Sequence, residues 1–368
     1  MLGIYIHIPF CRRRCNYCDF CSSVAPRGDI SAYVAALKKS INAFPEQGLS
    51  ADTVYLGGGT PSLLSGDEMS EILNSVRRKF TLSGDCEITS EANPCTVTPQ
   101  LLRDYRAAGI NRLSFGIQSC KANELVTLGR LHTFEDAANA VEYAHTAGIE
   151  NISADIMLGI PHQTPSPLRE SVGKIASLGV RHISAYMLKI EPGTRFDCDE
   201  IRAIVPDDDT VSDMYLNAVG QLSQLGFEQY EISNFSVPGY ESRHNLKYWT
   251  GEPYIGFGPS AHSYFGGQRF YVSEDIQAFI SDPLALPITE DSSPDALEEY
   301  LMLGLRLRKG ISIDMIRHLG GNVEKLAIAA APFERAGLLT VKDNAITLTT
   351  RGFLVSNGII SRLIDSQI

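Results

Sequence analysis

The sequence predicts an α/β protein built on a parallel sheet and followed by a smaller α+β unit. Apolar, β-branched runs alternate with longer helical patterns six times over the first half of the chain. Polar residues and glycines gather just after those runs. Near Pro294 the pattern changes to short helices followed by a hairpin signal.

The elements follow in order. Ile4–Phe10 reads as a strand, then Ile30–Phe44 as an amphipathic helix; Thr53–Leu56 pairs with a helix over Glu68–Lys79. Cys86–Ser90 precedes a helix near Gln100–Ala107, and Arg112–Ile117 precedes helical material through Ala147. Asn151–Met157 leads to a helix near Leu168–Leu178, and His182–Ile190 closes the series. Strand–helix alternation implies parallel strands joined by right-handed crossovers, with open sheet and barrel both compatible with the periodicity. Beyond it, Asp207–Leu225 is helical and Phe227–Phe235 strand-like, while Tyr240–Tyr271 is dense in Gly, Tyr and Phe. From Asp295 come helical patterns to Leu307, over Ile313–His318 and over Val323–Ala336. Strands at Gly337–Val341 and Ala345–Thr349 flank the turn residues Lys342-Asp343-Asn344.

Composition narrows the function. The chain of 368 residues has a net charge of −11 and mixes 44% hydrophobic with 20% charged residues. Nucleic-acid binding draws on clustered Lys and Arg, so no nucleic-acid partner is expected. The one basic run, Arg12-Arg13-Arg14, is suited to a reductant or a carboxylate-bearing ligand, and equally to a solvated loop face. The N-terminus enters a strand directly, with no signal-peptide pattern and no apolar run long enough to span a bilayer. With eight cysteines, this predicts a reducing, cytoplasmic setting.

Cys11, Cys15 and Cys18 fall in the spacing C-x3-C-x2-C directly after the first strand. Thiolates this close suit a metal better than disulfides, either a structural zinc or an iron–sulfur cluster. Three ligands on a four-iron cubane leave one iron open. Cys21 extends the run and stands as a rival ligand or a bystander.

The run Tyr5-Ile6-His7-Ile8-Pro9-Phe10-Cys11, with Cys15-Asn16-Tyr17-Cys18-Asp19-Phe20, closely resembles the opening of radical S-adenosylmethionine (SAM) enzymes. Within them it resembles the branch that holds oxygen-independent coproporphyrinogen III oxidases and the haem chaperones. The resemblance implies a partial (β/α)6, TIM-like barrel open on one side, with a small winged-helix-like C-terminal domain. It implies a [4Fe-4S] cluster on Cys11, Cys15 and Cys18. SAM is expected at Tyr5, Tyr17, Gly58, Gly59, Thr60, Glu91, Gln118, Arg130 and Asp155, mostly at strand ends, where ligands of such folds sit. In that superfamily the methionine part of SAM chelates the open iron, and an electron from the reduced cluster cleaves the sulfonium to a 5′-deoxyadenosyl radical.

His244-Asn245-Leu246-Lys247-Tyr248-Trp249 matches the signature of the haem-chaperone branch, which implies His244 as a haem ligand, with His262 as the alternative. The oxidases carry a further cysteine where this chain has Phe20, and an extension before the first motif. Both departures favour the chaperone, with haem and recipient haem proteins as partners and a flavodoxin or ferredoxin as electron donor. Recipients would also bring it peripherally to a membrane. The expected division is a core barrel over 1–235, an aromatic segment over 236–293 and a C-terminal unit over 294–368.

Overall fold

The computed structural model describes residues 1–24 and 26–367. The first half runs β1 (Leu2–Ile8), α1 (Arg27–Ala43), β2 (Ser50–Gly58), α2 (Gly66–Lys79), β3 (Thr81–Ala92) and α3 (Pro99–Ala108). It continues through β4 (Arg112–Gln118), α4 (Ala122–Leu128), α5 (Phe134–Thr146), β5 (Asn151–Leu158), α6 (Pro165–Ala176) and β6 (His182–Met187). Each of these strands pairs in parallel with the next. The six form the expected open (β/α)6 barrel.

Strand composition explains what the barrel encloses. In β1, Leu2, Ile4, Ile6 and Ile8 are buried in the hydrophobic core, whereas Gly3, Tyr5 and His7 take the alternate positions. In β4, Leu113, Phe115 and Ile117 join that core while Arg112, Ser114, Gly116 and Gln118 alternate with them. Ile152, Ala154, Ile156 and Leu158 do the same in β5, against Asn151, Ser153 and Asp155. Successive side chains of a strand point to opposite faces. The helix-covered face is therefore apolar and the inner face polar. A parallel sheet buried on both faces is normally apolar on both, so a polar inner face marks this interior as a binding cavity.

The rest of the chain extends and caps this sheet. It comprises α7 (Asp199–Arg202), α8 (Asp208–Gln224), β7 (Glu228–Gln229), β8 (Asn234–Ser236), α9 (Arg243–Thr250), β9 (Tyr254–Phe257), β10 (His262–Phe265), β11 (Gln268–Tyr271), α10 (Ile276–Ser281) and β12 (Ile288–Asp291). The sheet order is β12-β11-β10-β9-β1-β2-β3-β4-β5-β6-β8-β7, with β9 parallel to β1. The single strand expected over Phe227–Phe235 is instead two short strands. The chain turns between them, where Glu231 is buried and accepts from Ser233 N at 3.1 Å. The last expected core strand, read to Ile190, ends at Met187.

A second core lies in the C-terminal part: α11 (Ala296–Gly304), β13 (Ile311–Ser312), α12 (Ile313–His318), α13 (Val323–Arg335), β14 (Leu339–Lys342), β15 (Ala345–Leu348), α14 (Thr350–Leu354) and α15 (Ser356–Asp365). Its helices and three-stranded sheet β13-β15-β14 have the expected winged-helix-like character. Asp343 and Asn344 turn the hairpin with φ of 51° and 63°, the left-handed geometry that short polar residues tolerate. Helices α14 and α15 are additions to the sequence reading. No described helix is long and apolar enough to cross a membrane.

Candidate functional site

At the carboxyl ends of the strands, the cysteine loop folds over the barrel mouth. Cys11 N donates to Ser23 O (2.9 Å) and Ser23 N to Pro9 O (2.7 Å), closing the loop at its base. Tyr5 OH donates to His7 Nδ1 (3.0 Å), and His7 Nε2 donates to Cys21 O (2.7 Å). A chain of polar contacts thus runs from the barrel interior to the loop backbone. Asn16 N bonds Leu128 O at 3.0 Å, tying the middle of the loop to the end of α4.

Beneath the loop lies a cavity of about 390 Å³. Cys11, Cys15, Tyr17, Cys18, Gly58, Gly59, Thr60, Glu91, Gln118, Arg130 and Asp155 all line it. Of the expected cluster and SAM residues, Tyr5 alone stands outside its lining. Tyr5 sits deeper, its ring 6.3 Å from that of Tyr55. Cys21 belongs to a separate surface groove and donates to Glu274 O at 3.4 Å.

The sequence builds each contact locally. After β2, Gly58 adopts φ 104°, and a Cβ there would lie 2.3 Å from the His7 ring. Only glycine fits this strand end. The adjoining Thr60 donates to Cys11 Sγ at 3.5 Å. Glu91 accepts from Tyr55 OH (2.9 Å) and Gly58 N (3.0 Å). Enclosure raises its pKa to about 7, with Asp155 adding to the rise, and enclosure likewise raises Asp155 to about 6. At the end of α4, Gly129 turns with φ 76° and brings Arg130 inward, where its guanidinium meets Cys15 Sγ at 3.2 Å and Gly116 O.

The donor set fits a cluster. All eight cysteines are free thiols, and burial pushes Cys18 up to about 11. Among the described residues no three His, Cys, Asp or Glu side chains are gathered closely enough to hold a single metal ion. Thiols spread around a cavity mouth suit a cubane, whose thiolate positions lie on separate irons. Polar ligand contacts are also left open: Gln118 Oε1 and Arg130 Nε are buried without a partner. Gln118 holds φ 71°, an uncommon conformation for a non-glycine residue and one concentrated at functional sites.

His244, the expected haem ligand, lies in a buried hydrogen-bonded setting. It is the second residue of α9 and 0% exposed. Its Nδ1 is hydrogen-bonded with Thr53 Oγ1 (2.9 Å) and its Nε2 with Tyr248 OH (2.8 Å), while its ring stacks 5.2 Å from Tyr55. Burial lowers its pKa to about 3. Both nitrogens are hydrogen-bonded in this conformation, so haem ligation by His244 would require one of these contacts to open. The hexapeptide seals the barrel floor. Asn245 faces the cavity, and Lys247 Nζ bonds Met1 O (2.9 Å), Asp52 (2.9 Å) and Glu252 (2.8 Å). The Trp249 ring lies 5.8 Å from the Arg306 guanidinium of the C-terminal part. His262 is 52% exposed in its side chain, stacked on Tyr271 at 5.2 Å, with Nδ1 3.4 Å from Glu290.

Sequence reasoning missed Tyr55, Arg112, Ser114, Ser153 and His182, which also line the cavity. The polar phase of each strand's alternation is the signal that marks them.

A polar-lined, open parallel barrel with three thiols at its mouth defines the radical SAM class of protein. The Radical SAM superfamily profile matches residues 5–175, and the HemN C-terminal domain profile matches residues 291–355. The chain belongs to this superfamily, and within it to the HemW family. It is 36% identical over 382 residues to a Mycobacterium tuberculosis protein named "Heme chaperone HemW", covering 98% of this chain and 94% of that one. The Bacillus subtilis protein of the same name is 35% identical, with 97% of each chain covered. The solved Escherichia coli coproporphyrinogen III oxidase, described as a radical SAM enzyme, superposes with a TM-score of 0.84 at 22% identity. That match spans 98% of this chain and 89% of the other, and it bears on the fold.

Proposed function

We propose that this protein is a haem chaperone, which binds haem and hands it to haem-dependent proteins. The observation carrying this reading is similarity along almost the whole chain to proteins named for that role. Phe20, which stands where the oxidases carry a further cysteine, supports it, and its side chain is 60% exposed beside the cysteine loop.

In this reading Cys11, Cys15 and Cys18 hold a [4Fe-4S] cluster, and SAM occupies the cavity below. Together the bound groups supply reductive, one-electron cleavage of a sulfonium. The chain's own residues hold and orient the nucleotide. The Glu91 carboxylate, fixed by Tyr55 and Gly58 N, suits an ammonium, and Gln118 and Arg130 offer unfilled polar atoms. The loop closes the mouth and limits water entry. Arg12, Arg13 and Arg14 are exposed on that loop, a positive face suited to an acidic electron carrier such as a flavodoxin or ferredoxin.

For haem iron the candidates are His244, whose two nitrogens would have to give up their bonds to Thr53 and Tyr248, and the more exposed His262. Imidazole is a common haem ligand, and Tyr271 gives the His262 ring aromatic support. Titration of the chain with haemin tests the reading. A saturable Soret shift is expected, followed by transfer to an apo-haem protein; an unaltered shift in His244→Ala would remove His244 as ligand and leave His262, tested by His262→Ala. Anaerobic incubation with coproporphyrinogen III, SAM and a reductant is expected to leave the porphyrinogen unchanged. Its decarboxylation would replace this reading with the oxidase one.

A further inference from the structure

The deep end of the cavity holds a guanidinium that the chain meets with no direct hydrogen bond, Asp155 acting on it only through its field. Arg112 opens β4, at the end of the barrel remote from the cysteine loop, and is 1% exposed. Its side chain lines the cavity, yet it makes no hydrogen bond or ion pair with any described residue, and its Nε is buried without a partner.

None of the carboxylates that contribute to the polar interior is bonded to it. Glu87 accepts the α9 backbone N–H groups of Arg243 (3.2 Å) and His244 (3.1 Å). Glu91 is bonded to Tyr55 and Gly58, and Asp155 acts on Arg112 through its field without a salt bridge between them. His182 is saturated by Ser153 at 2.7 Å and Tyr230 at 2.8 Å. A buried charge without hydrogen-bonded partners is strongly disfavoured, so a lone guanidinium facing a cavity calls for a ligand.

We propose that Arg112 is the anchor of a carboxylate subsite at the floor of the cavity, separate from the thiol end. The guanidinium fork matches a planar carboxylate with two parallel N–H···O bonds. Ser114 stands one strand position further along the inner face, and Asn245 closes the floor from α9. The nearby Glu91 and Asp155 disfavour a dianion, which selects a monocarboxylate over a phosphate. The carboxylate comes either from a free small acid or from the acidic arm of a larger molecule that reaches down into the cavity. The subsite does not depend on the chaperone reading.

Calorimetric titration of the full chain with propionate tests it. Wild type is expected to bind propionate saturably at one site per chain. Arg112→Gln and Arg112→Lys are expected to weaken that binding by at least about tenfold, as losing a charge-assisted bidentate pair implies. Arg112→Lys retains the charge but not the fork, and keeps the test open should the Gln variant fold poorly. Crystals soaked with 3-bromopropionate are expected to show bromine density beside Arg112. Absence of saturable propionate binding to wild type, or equal affinity in folded variants, overturns the proposal. Given binding, a comparison of haem with its dimethyl ester identifies the source. An Arg112-dependent preference for the free acid means a propionate arm, and equal binding of the two means a free small acid.

Discussion

Arg130 donates to Cys15 Sγ at 3.2 Å across 115 residues of sequence. The contact joins the cysteine loop to the turn after α4, and the same guanidinium bonds Gly116 O on β4. One half-buried cation thus couples the metal-binding loop to the cavity wall.

Replacing it should therefore cost ligand binding before it costs the fold. A lost hydrogen bond to a charged group amounts to about 1.5–3 kcal/mol. Arg130→Gln is expected to weaken SAM binding by roughly 10- to 100-fold, measured by equilibrium dialysis on reconstituted protein. Unchanged affinity would remove Arg130 from the site.

Glu91 makes apo-protein stability depend on pH in a defined direction. Its folded pKa of about 7 lies above the ordinary 4.5, so between those values the folded chain keeps a proton that the unfolded chain has lost. Stability contributed by the neutral acid is complete below 4.5 and is lost as pH rises through 7. For Glu91→Gln that loss, about 3 kcal/mol, should vanish. Denaturant unfolding at pH 5 and pH 8 checks this. The variant is expected to gain on wild type at pH 8 while losing SAM affinity. Asp155 contributes in the same direction in both proteins, somewhat less in the variant, where its repulsion with Glu91 is gone.

Gly58→Ala tests the strand end. Its φ of 104° strains any side chain, and the added methyl would meet the His7 ring. Backbone strain alone is of order 1–3 kcal/mol. The expected result is a lower melting temperature together with reduced iron retention, because His7 carries the bond to Cys21 O.

His244→Ala separates a structural histidine from a ligand. It would leave Thr53 Oγ1 and Tyr248 OH without their partner and open a hole beside Tyr55. A destabilisation of about 2–4 kcal/mol is expected, whereas the exposed His262→Ala should stay within about 0.5 kcal/mol of wild type. Equal thermal stability of the two variants would contradict the placement of His244 in the floor.

Much of this was legible from residues. The core strands announce themselves because Ile and Val in β1, β2 and β5 pack under helices, and the cysteine spacing marks the loop regardless of fold. The beginning of β3 was hidden, since Thr81–Asp85 carries little apolar pattern yet pairs at its start with Ser50 and Ala51. The parallel pairing of β9 with β1 is long-range and leaves no local trace. The helix that carries His244 left no clear periodic pattern, because it runs only eight residues from the Ser242 cap, which accepts from Asn245 N. Arg112 resembles any charge at a strand edge. Only its register, opposite Thr89 and Asn151, places it inside the barrel.

The central claim is that three thiols hold a cubane with one iron left for SAM. Electron paramagnetic resonance of the anaerobically reconstituted, reduced protein, with and without SAM, tests it most directly. A cluster signal that shifts on adding SAM is expected in wild type and in Cys21→Ala, and its loss is expected in Cys11→Ala, Cys15→Ala and Cys18→Ala. A signal indifferent to SAM, or one that survives removal of Cys11, would contradict the account.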